Sequence, residues 1–165
     1  MSIIDALITD RTQADVSRAA YLREVVNSGT ATADELTEWG TDLKGAYNAS
    51  DWNRVGEACA YLYQIFRETF ATDVPGYVAL RTDWGIFDIP TATEMGTYLG
   101  TVAALKGVWN TAQEIPTSMS HLTTDDANNI EKLLIEIDTL QQNAVRSFVF
   151  SGMVYSGQIW AQIGG

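Results

Sequence analysis

Residues 55–70 read VGEACAYLYQIFRETF, and their apolar side chains recur every three or four positions. The recurring residues are Val55, Ala58, Cys59, Leu62, Ile65, Phe66 and Phe70. This spacing matches the 3.6-residue period of an α-helix with one apolar face. Because such a face must be buried against other elements, the pattern predicts a helix that packs within a helical bundle.

Four further apolar stripes of the same period flank this helix, over residues 16–26, 36–43, 95–109 and 130–144. Gly29 is expected to end the first of these helices. Lys44 and Gly45 are expected to end the second, with Gly45 in a left-handed cap position. We therefore predict a mainly α domain over residues 1–147, an irregular bundle of about five helices.

The predicted helix starts carry a hydroxyl residue three positions before a carboxylate, which is the spacing of a capping box. The pairs are Thr12 with Asp15, Thr32 with Glu35, and Thr91 with Glu94. Asn48 or Ser50 is expected to cap the third helix, and Thr123 or Thr124 to open the fifth.

Residues 148–165 differ from the bundle, because their aromatic side chains are interleaved with Ser and Gly. Alternation over 147–150, followed by Ser-Gly, predicts a small C-terminal β-hairpin or strand packed on the bundle or on a partner. Exposed aromatic patches tend to be interfaces. The candidate interface residues are therefore Phe148, Phe150, Tyr155 and Trp160. In the alternative interpretation these side chains only cover the base of the bundle.

The chain of 165 residues is acidic, with 21 Asp and Glu against 10 Lys and Arg and a formal charge of −11. Its basic residues are scattered, whereas phosphate binding needs them gathered on one face. The composition argues against nucleic acid and anionic membranes as partners. We expect no signal peptide, since the N-terminus lacks a basic region. We also expect no transmembrane segment, since no apolar run reaches ~18 residues.

The residues that carry most catalytic chemistry are scarce, with one cysteine, Cys59, and one histidine, His121. Zinc sites and nucleophile–histidine pairs draw on several such residues. Cys59 lies on an apolar stripe and is expected to be a buried structural thiol, and His121 is expected at the surface or at a helix cap. No phosphate-binding or dinucleotide-binding glycine motif is present. We predict a protein that is not an enzyme, with no catalytic residue, metal or cofactor.

Five tryptophans offer aromatic surfaces. Trp39 and Trp109 fall on predicted core stripes, whereas Trp52 and Trp84 lie where exposure is possible. The alternative function is therefore a small-molecule or glycan-binding module that uses exposed Trp and Tyr, with Trp52 and Trp84 as the candidate ligand-binding residues.

Several short strings along nearly the whole chain carry a family resemblance. They are Thr9-Asp10-Arg11-Thr12, Lys44-Gly45-Ala46-Tyr47-Asn48 with Asn53-Arg54-Val55, Thr82-Asp83-Trp84, Asp88-Ile89-Pro90-Thr91, Ala127-Asn128 with Ile130-Glu131, and Tyr155-Ser156-Gly157. Together they resemble an uncharacterised domain of tail-associated, or minor structural, proteins of phages and prophages of Gram-positive gut bacteria. The resemblance implies a non-enzymatic structural protein that acts through protein–protein contacts. The implied partners are other virion or tail proteins, or further copies of the chain. The implied location is the virion, or the host cytoplasm before assembly.

Four charged residues of these strings lie at predicted helix edges: Asp10, Arg11, Arg54 and Asp83. We hypothesise that they form a polar girdle that fixes the loops against the bundle. Within it, Arg54 is expected to pair with Asp51 or with Asp10.

Overall fold

The computed structural model describes the backbone of residues 2–109 and 111–163, and the side chains of these ranges up to residue 147. Over these residues the chain forms a short 3-10 helix, Ile4–Ala6, and five α-helices. The helices are α1 (Gln13–Ser28), α2 (Ala33–Trp39), α3 (Ala49–Phe70), α4 (Ala92–Val108) and α5 (Thr124–Ile163). The prediction of a mainly helical protein with five helices is confirmed.

The prediction of a C-terminal β element is wrong. The backbone described by the structure contains no β-strand, and α5 continues to Ile163 as one helix of 40 residues. The alternation over 147–150 spans only four residues, and so short a run does not separate strand from helix. The last proline is Pro116, so no residue of α5 lacks its helical N–H. Each further residue then extends a helix that is already nucleated.

The helix starts follow the predicted capping boxes, which form at Thr12, Thr32 and Thr91. Asn48 caps α3 with a fourth box. Gly29 ends α1 in the left-handed conformation, with φ of 72°. The predicted end of the second helix at Gly45 is wrong, because α2 already ends at Trp39.

Gly45 has a steric role instead of a capping role. It lies so close to α1 that a Cβ there would fall 2.0 Å from the carbonyl oxygen of Asp15. The early end of α2 also leaves its apolar side chains outside the core. Leu36 and Trp39 are exposed, so the prediction that Trp39 lies in the core is wrong.

The hydrophobic core lies where α3 packs against α4 and α5. Its fully buried residues include Val55, Leu62, Val102, Leu105, Leu133 and Ile137. Each large apolar side chain contributes roughly 1.5–3 kcal/mol when it is removed from water. Trp109 packs against this core, as its stripe predicted. The apolar spacing of α3, α4 and α5 therefore identified the main layers correctly.

The connection between α3 and α4, residues 71–91, crosses the surface of both helices. A Cβ at Gly56 of α3 would lie 2.9 Å from Thr82 Cγ2, so the glycine permits the close crossing. Thr101 Oγ1 of α4 donates a hydrogen bond of 2.7 Å to the Val78 carbonyl. Residues 77–80 have no regular secondary structure. The crossing fixes the position of the loop that follows.

Candidate functional site

Residues 84–90, called here the apolar loop, present three large hydrophobic side chains to solvent. Ile86 is 85% exposed, Phe87 is 90% exposed and Ile89 is 87% exposed. Single exposed hydrophobic residues are ordinary, but a contiguous exposed apolar patch indicates a site of interaction. The apolar loop is therefore the candidate functional site.

The tip of the apolar loop is held closed by the carboxylate of Asp88. Asp88 Oδ2 accepts hydrogen bonds from Gly85 N at 2.8 Å and from Arg81 Nη2 at 2.6 Å. The Asp88 backbone N–H donates to the Gly85 carbonyl at 3.0 Å. The hydrogen bond from Gly85, together with the charge of Arg81, lowers the pKa of Asp88. The turn is therefore bonded at several points around its exposed side chains.

The base of the apolar loop is fixed to α3 through Trp84. The backbone N–H of Trp84 donates to Asn53 Oδ1 at 2.8 Å, and Asn53 Nδ2 donates back to the Trp84 carbonyl at 3.0 Å. The indole Nε1 donates to the Arg81 carbonyl at 3.1 Å, and the guanidinium carbon of Arg81 lies 4.5 Å from the ring centroid. The exposed tip thus stands on an ordered base, which lowers the entropy lost on binding.

No site was predicted from the sequence at Ile86, Phe87 or Ile89. A signal was present in the pattern Gly-Ile-Phe-Asp-Ile-Pro of residues 85–90. Turn residues there alternate with large apolar residues that belong to no helical stripe. Such residues either pack beneath the loop or remain exposed, and the spacing alone does not distinguish the two outcomes.

The predicted ligand-binding residues Trp52 and Trp84 are both buried, each only 8% exposed. Their ring centroids are 5.5 Å apart, and Trp52 also contacts Tyr98 at 4.4 Å. A sugar stacks on an open ring face, so the expectation of an exposed tryptophan platform is wrong. Both rings instead line a cavity of about 210 Å³ at the base of the apolar loop.

A buried charge cluster brings together two of the four residues of the predicted polar girdle. Arg11 Nη2 lies 2.6 Å from Asp51 Oδ1 and 2.6 Å from Glu131 Oε1. Arg54 contacts the same two carboxylates, with its Nη2 2.9 Å from Glu131 Oε1. The expected pairing of Arg54 with Asp51 is confirmed.

The other two girdle residues lie outside this cluster. Asp10 pairs with Lys44 at 2.8 Å, so Arg54 does not take its alternative partner, Asp10. Asp83 pairs with Arg81 at 2.6 Å, at the edge of the apolar loop. Both acids are well exposed, whereas the cluster is buried. The girdle as a single set of four residues is therefore wrong.

Glu131 is fully buried, and no pairing was predicted for it from the sequence. It follows Ile130 and precedes Leu134 by three positions, so it lies on the buried face of α5. An acid at such a position requires a buried cation. The charges and hydrogen bonds of Glu131 and Asp51 outweigh the effect of burial and raise the pKa of Arg54.

The cluster also fastens the N-terminal segment to α5. Ile8 N donates to Glu131 Oε2 at 2.6 Å, and Arg11 exchanges two backbone hydrogen bonds with the side chain of Asn128. Both carboxylates accept several hydrogen bonds from within the chain, and these bonds connect the N-terminal segment, α3 and α5.

Cysteine and histidine, which often act as nucleophile and base, occur once each in the chain. Cys59 is fully buried, as predicted, and burial raises the pKa of its thiol to about 12. His121 is exposed just before α5. Among the residues that the structure describes, no group of three or more His, Cys, Asp or Glu side chains could hold a metal ion. The predicted interface residues Phe148, Phe150, Tyr155 and Trp160 lie outside the described side chains.

None of the helices described here combines the length and the apolar character needed to cross a membrane. Comparison of the chain with known protein families, with curated proteins and with solved structures finds no match. The geometry of the apolar loop and of the cavity beside it is therefore the basis for a functional proposal.

Proposed function

We propose that the chain is a non-enzymatic structural protein that acts through protein–protein contacts, and that the apolar loop makes the central contact. The observation that carries the proposal is the exposure of Phe87 between Ile86 and Ile89 on a loop that Asp88 holds closed. Anchor residues of interfaces are large apolar side chains surrounded by groups that exclude water.

The size of the apolar loop limits the strength of the contact. Burial of its three large side chains would contribute roughly 5–9 kcal/mol, at roughly 1.5–3 kcal/mol for each. Association costs about 4–15 kcal/mol in lost translational and rotational freedom. The loop alone therefore supports only weak binding. It acts as the anchor of a wider interface, or as one of many contacts in an assembly whose repeated copies add avidity.

The charge of the chain favours a different protein over a second copy as the partner. Its formal charge of −11 makes two copies repel each other at low ionic strength. Asp83 beside the apolar loop is 84% exposed at its side chain and adds to this field. A partner with an apolar groove and basic surroundings has the complementary chemistry.

The setting that we propose is a phage or prophage particle, with the chain as a tail-associated component. The resemblance of the strings around Arg11, Asn48, Asp83 and Glu131 supports this setting, and the geometry supports the mode of action. A particle built from many subunits also supplies the repeated copies that a weak apolar contact needs.

The experiment compares induced particles made with the wild-type chain and with an Ile86→Ser, Phe87→Ser, Ile89→Ser variant. Leu36→Ser on α2 is the matched control, because Leu36 is also exposed, at 53%. Mass spectrometry of density-purified particles is expected to recover the wild-type and control chains stoichiometrically and to lose the loop variant. Equal incorporation of the loop variant would show that the loop is not the contact. Absence of the wild-type chain from intact particles, with the chain present in the cells, would reject the virion setting.

A further inference from the structure

The cavity at the base of the apolar loop has a fixed aromatic wall. Trp52 stands between Trp84 and Tyr98, with ring centroids 5.5 Å and 4.4 Å away. Hydrogen bonds to Asn53 and to the Arg81 carbonyl hold Trp84 in place. The hydroxyl of Tyr98 is hydrogen-bonded to that of Tyr47. The wall is therefore formed before any ligand arrives, which is typical of small-ligand sites.

The two charged side chains in the cavity wall, Arg81 and Glu94, already make hydrogen bonds within the chain. Arg81 donates to Asp83 Oδ1 and to Asp88 Oδ2, each at 2.6 Å. Glu94 Oε2 accepts from Thr91 N and Thr91 Oγ1, each at 2.7 Å. An anionic ligand must draw Arg81 away from its two carboxylates, and a cationic ligand meets the Arg81 guanidinium, which lies 4.5 Å from the Trp84 ring centroid. Both are costly near apolar rings. An uncharged ligand meets neither cost.

The volume of the cavity limits the size of that ligand. The cavity holds about 210 Å³. Sites for drug-sized molecules measure roughly 300–1,000 Å³, whereas an apolar cavity of about 150 Å³ takes up benzene. We propose that this cavity binds a single uncharged aromatic ring. The ring belongs either to an anchor side chain of a protein partner or to a free small aromatic molecule.

This inference goes beyond the proposed function, because the exposed side chains of the apolar loop do not line the cavity. The two proposals fail separately. Phe87→Ser removes an exposed contact and is expected to leave ring binding unchanged. A substitution in the cavity wall is expected to remove ring binding and to leave Ile86, Phe87 and Ile89 exposed.

The test titrates the full-length, ¹⁵N-labelled chain with toluene and follows the indole N–H signal of Trp84 by NMR. We expect a saturable shift with a Kd of roughly 1 mM, the affinity expected of a ligand with so few atoms. Benzoate carries the same ring with a charge and is expected to bind at least roughly tenfold more weakly. The proposal is overturned if toluene gives no saturable shift, or if benzoate binds as well as toluene does.

Ala79 offers a variant that fills the cavity, because it lines the wall and is exposed. Ala79→Leu is expected to weaken toluene binding at least roughly tenfold. The matched control is Ala103→Leu, which adds the same side-chain bulk at an exposed position of α4 outside the cavity. Toluene binding that both variants retain equally would place the ring elsewhere. Thermal unfolding of both variants checks that they fold. The titrations of the wild-type chain with toluene and benzoate test the proposal even if a variant does not fold.

A second ligand distinguishes the two sources of the ring. N-acetylphenylalaninamide carries the phenylalanine ring on a peptide backbone. If it shifts the Trp84 signal with an affinity near that of toluene, the cavity mouth admits the side chain of a partner protein. If toluene binds and the amide does not, the ring belongs to a free small molecule. Both results support the ring site.

Discussion

Arg11 Nη2 donates a hydrogen bond of 2.6 Å to Glu131 Oε1, although the two residues are 120 positions apart in the chain. The same carboxylate accepts from Arg54 and from the backbone N–H of Ile8. One buried side chain therefore joins the N-terminal segment, α3 and α5. A group with so many partners in the interior is costly to remove, because each partner then remains buried and unpaired.

Glu131→Gln tests how much this buried charge cluster contributes to stability. The variant keeps the shape of the side chain and removes the charge that compensates Arg11 and Arg54. Breaking a buried ion pair from one side costs about 3–5 kcal/mol, and we expect a loss of about 3 kcal/mol in the free energy of unfolding measured in urea. Glu38→Gln is the control, because the ion pair of Glu38 with Arg18 is exposed. The urea midpoint of this variant is expected to remain nearly that of wild type. A Glu131→Gln variant as stable as this control would contradict the role of the cluster.

The capping box of α3 extends the same cluster, because Asp51 Oδ2 accepts from Asn48 N while Asp51 Oδ1 faces Arg11. Asn48→Ala removes the side-chain oxygen that accepts from Ser50 N at 2.9 Å. We expect a loss of about 1 kcal/mol in unfolding free energy, and a smaller loss for Asn48→Ser, which keeps a capping oxygen. The comparison fails if alanine and serine have the same effect in urea unfolding.

Two glycines are expected to respond in opposite directions to the same substitution. Gly45→Ala places a Cβ 2.0 Å from the Asp15 carbonyl oxygen, so the backbone of α1 must move. The expected cost is roughly 1–3 kcal/mol or more. Gly100 lies within α4 with no atom within 4 Å of its would-be Cβ. Gly100→Ala is therefore expected to gain about 0.5–1 kcal/mol through helix propensity.

Thermal unfolding checks this pair of variants. The melting temperature is expected to move by about 2–4 °C for each kcal/mol in a chain of this size. It should fall for Gly45→Ala and rise for Gly100→Ala. If Gly45→Ala does not lower it, the close approach of Gly45 to α1 is not a constraint on the folded protein.

The helical layers were predictable because apolar period and helix caps are local signals. The stripe of α3 and the boxes at Thr12, Thr32 and Thr91 each depend on residues at most one turn apart. The prediction of a C-terminal strand was wrong because four alternating residues fit a strand and a helix equally well. The predicted end of α2 was wrong because the apolar spacing continues to Leu43, whereas the helical backbone ends at Trp39.

The sites were less predictable because they depend on contacts between distant segments. Arg11 and Arg54 were identified as charged residues at helix edges, but their shared acid Glu131 comes from α5. The sequence placed Trp84 where exposure is possible, whereas Asn53 and the crossing at Gly56 hold it in the interior. No local pattern states which side of a loop faces solvent, so Phe87 was missed.

Asp138 makes stability depend on pH. Its burial, together with the charge of Asp5, raises its pKa above the ordinary value of 3.8 despite a hydrogen bond from Gln142. The folded protein therefore holds this proton more tightly than the unfolded chain does. The contribution to stability falls as pH rises from 3.8 through the raised folded pKa. At neutral pH the ionised carboxylate is a cost.

Asp138→Asn is expected to remove this cost and to keep an oxygen that accepts from Gln142. We expect a higher unfolding free energy than wild type at pH 7, and a difference that vanishes below pH 3.8. Urea unfolding across this pH range measures it. Asp42→Asn, at an exposed position, is the control. A constant difference at all pH values would show that packing, and not the charge of Asp138, causes the change.

The closed form of the apolar loop depends on Asp88, and its two partners can be separated. Asp88→Ala removes the acceptor of Gly85 N and the partner of Arg81, whereas Asp88→Asn keeps an oxygen for Gly85 and loses only the ion pair. We expect amide exchange at Gly85 to be fastest in the alanine variant and intermediate in the asparagine variant, with the Leu99 amide of α4 as internal reference.

The lowered pKa of Asp88 adds a pH dependence to the closed loop. The stabilising contribution of its carboxylate is present above the ordinary pKa and is lost as pH falls through the lowered pKa. A loosened loop must be ordered on binding, so the alanine variant should also enter particles less well than wild type while Ile86, Phe87 and Ile89 remain unchanged. Equal exchange at Gly85 in all three proteins would mean that the tip is held by its backbone alone.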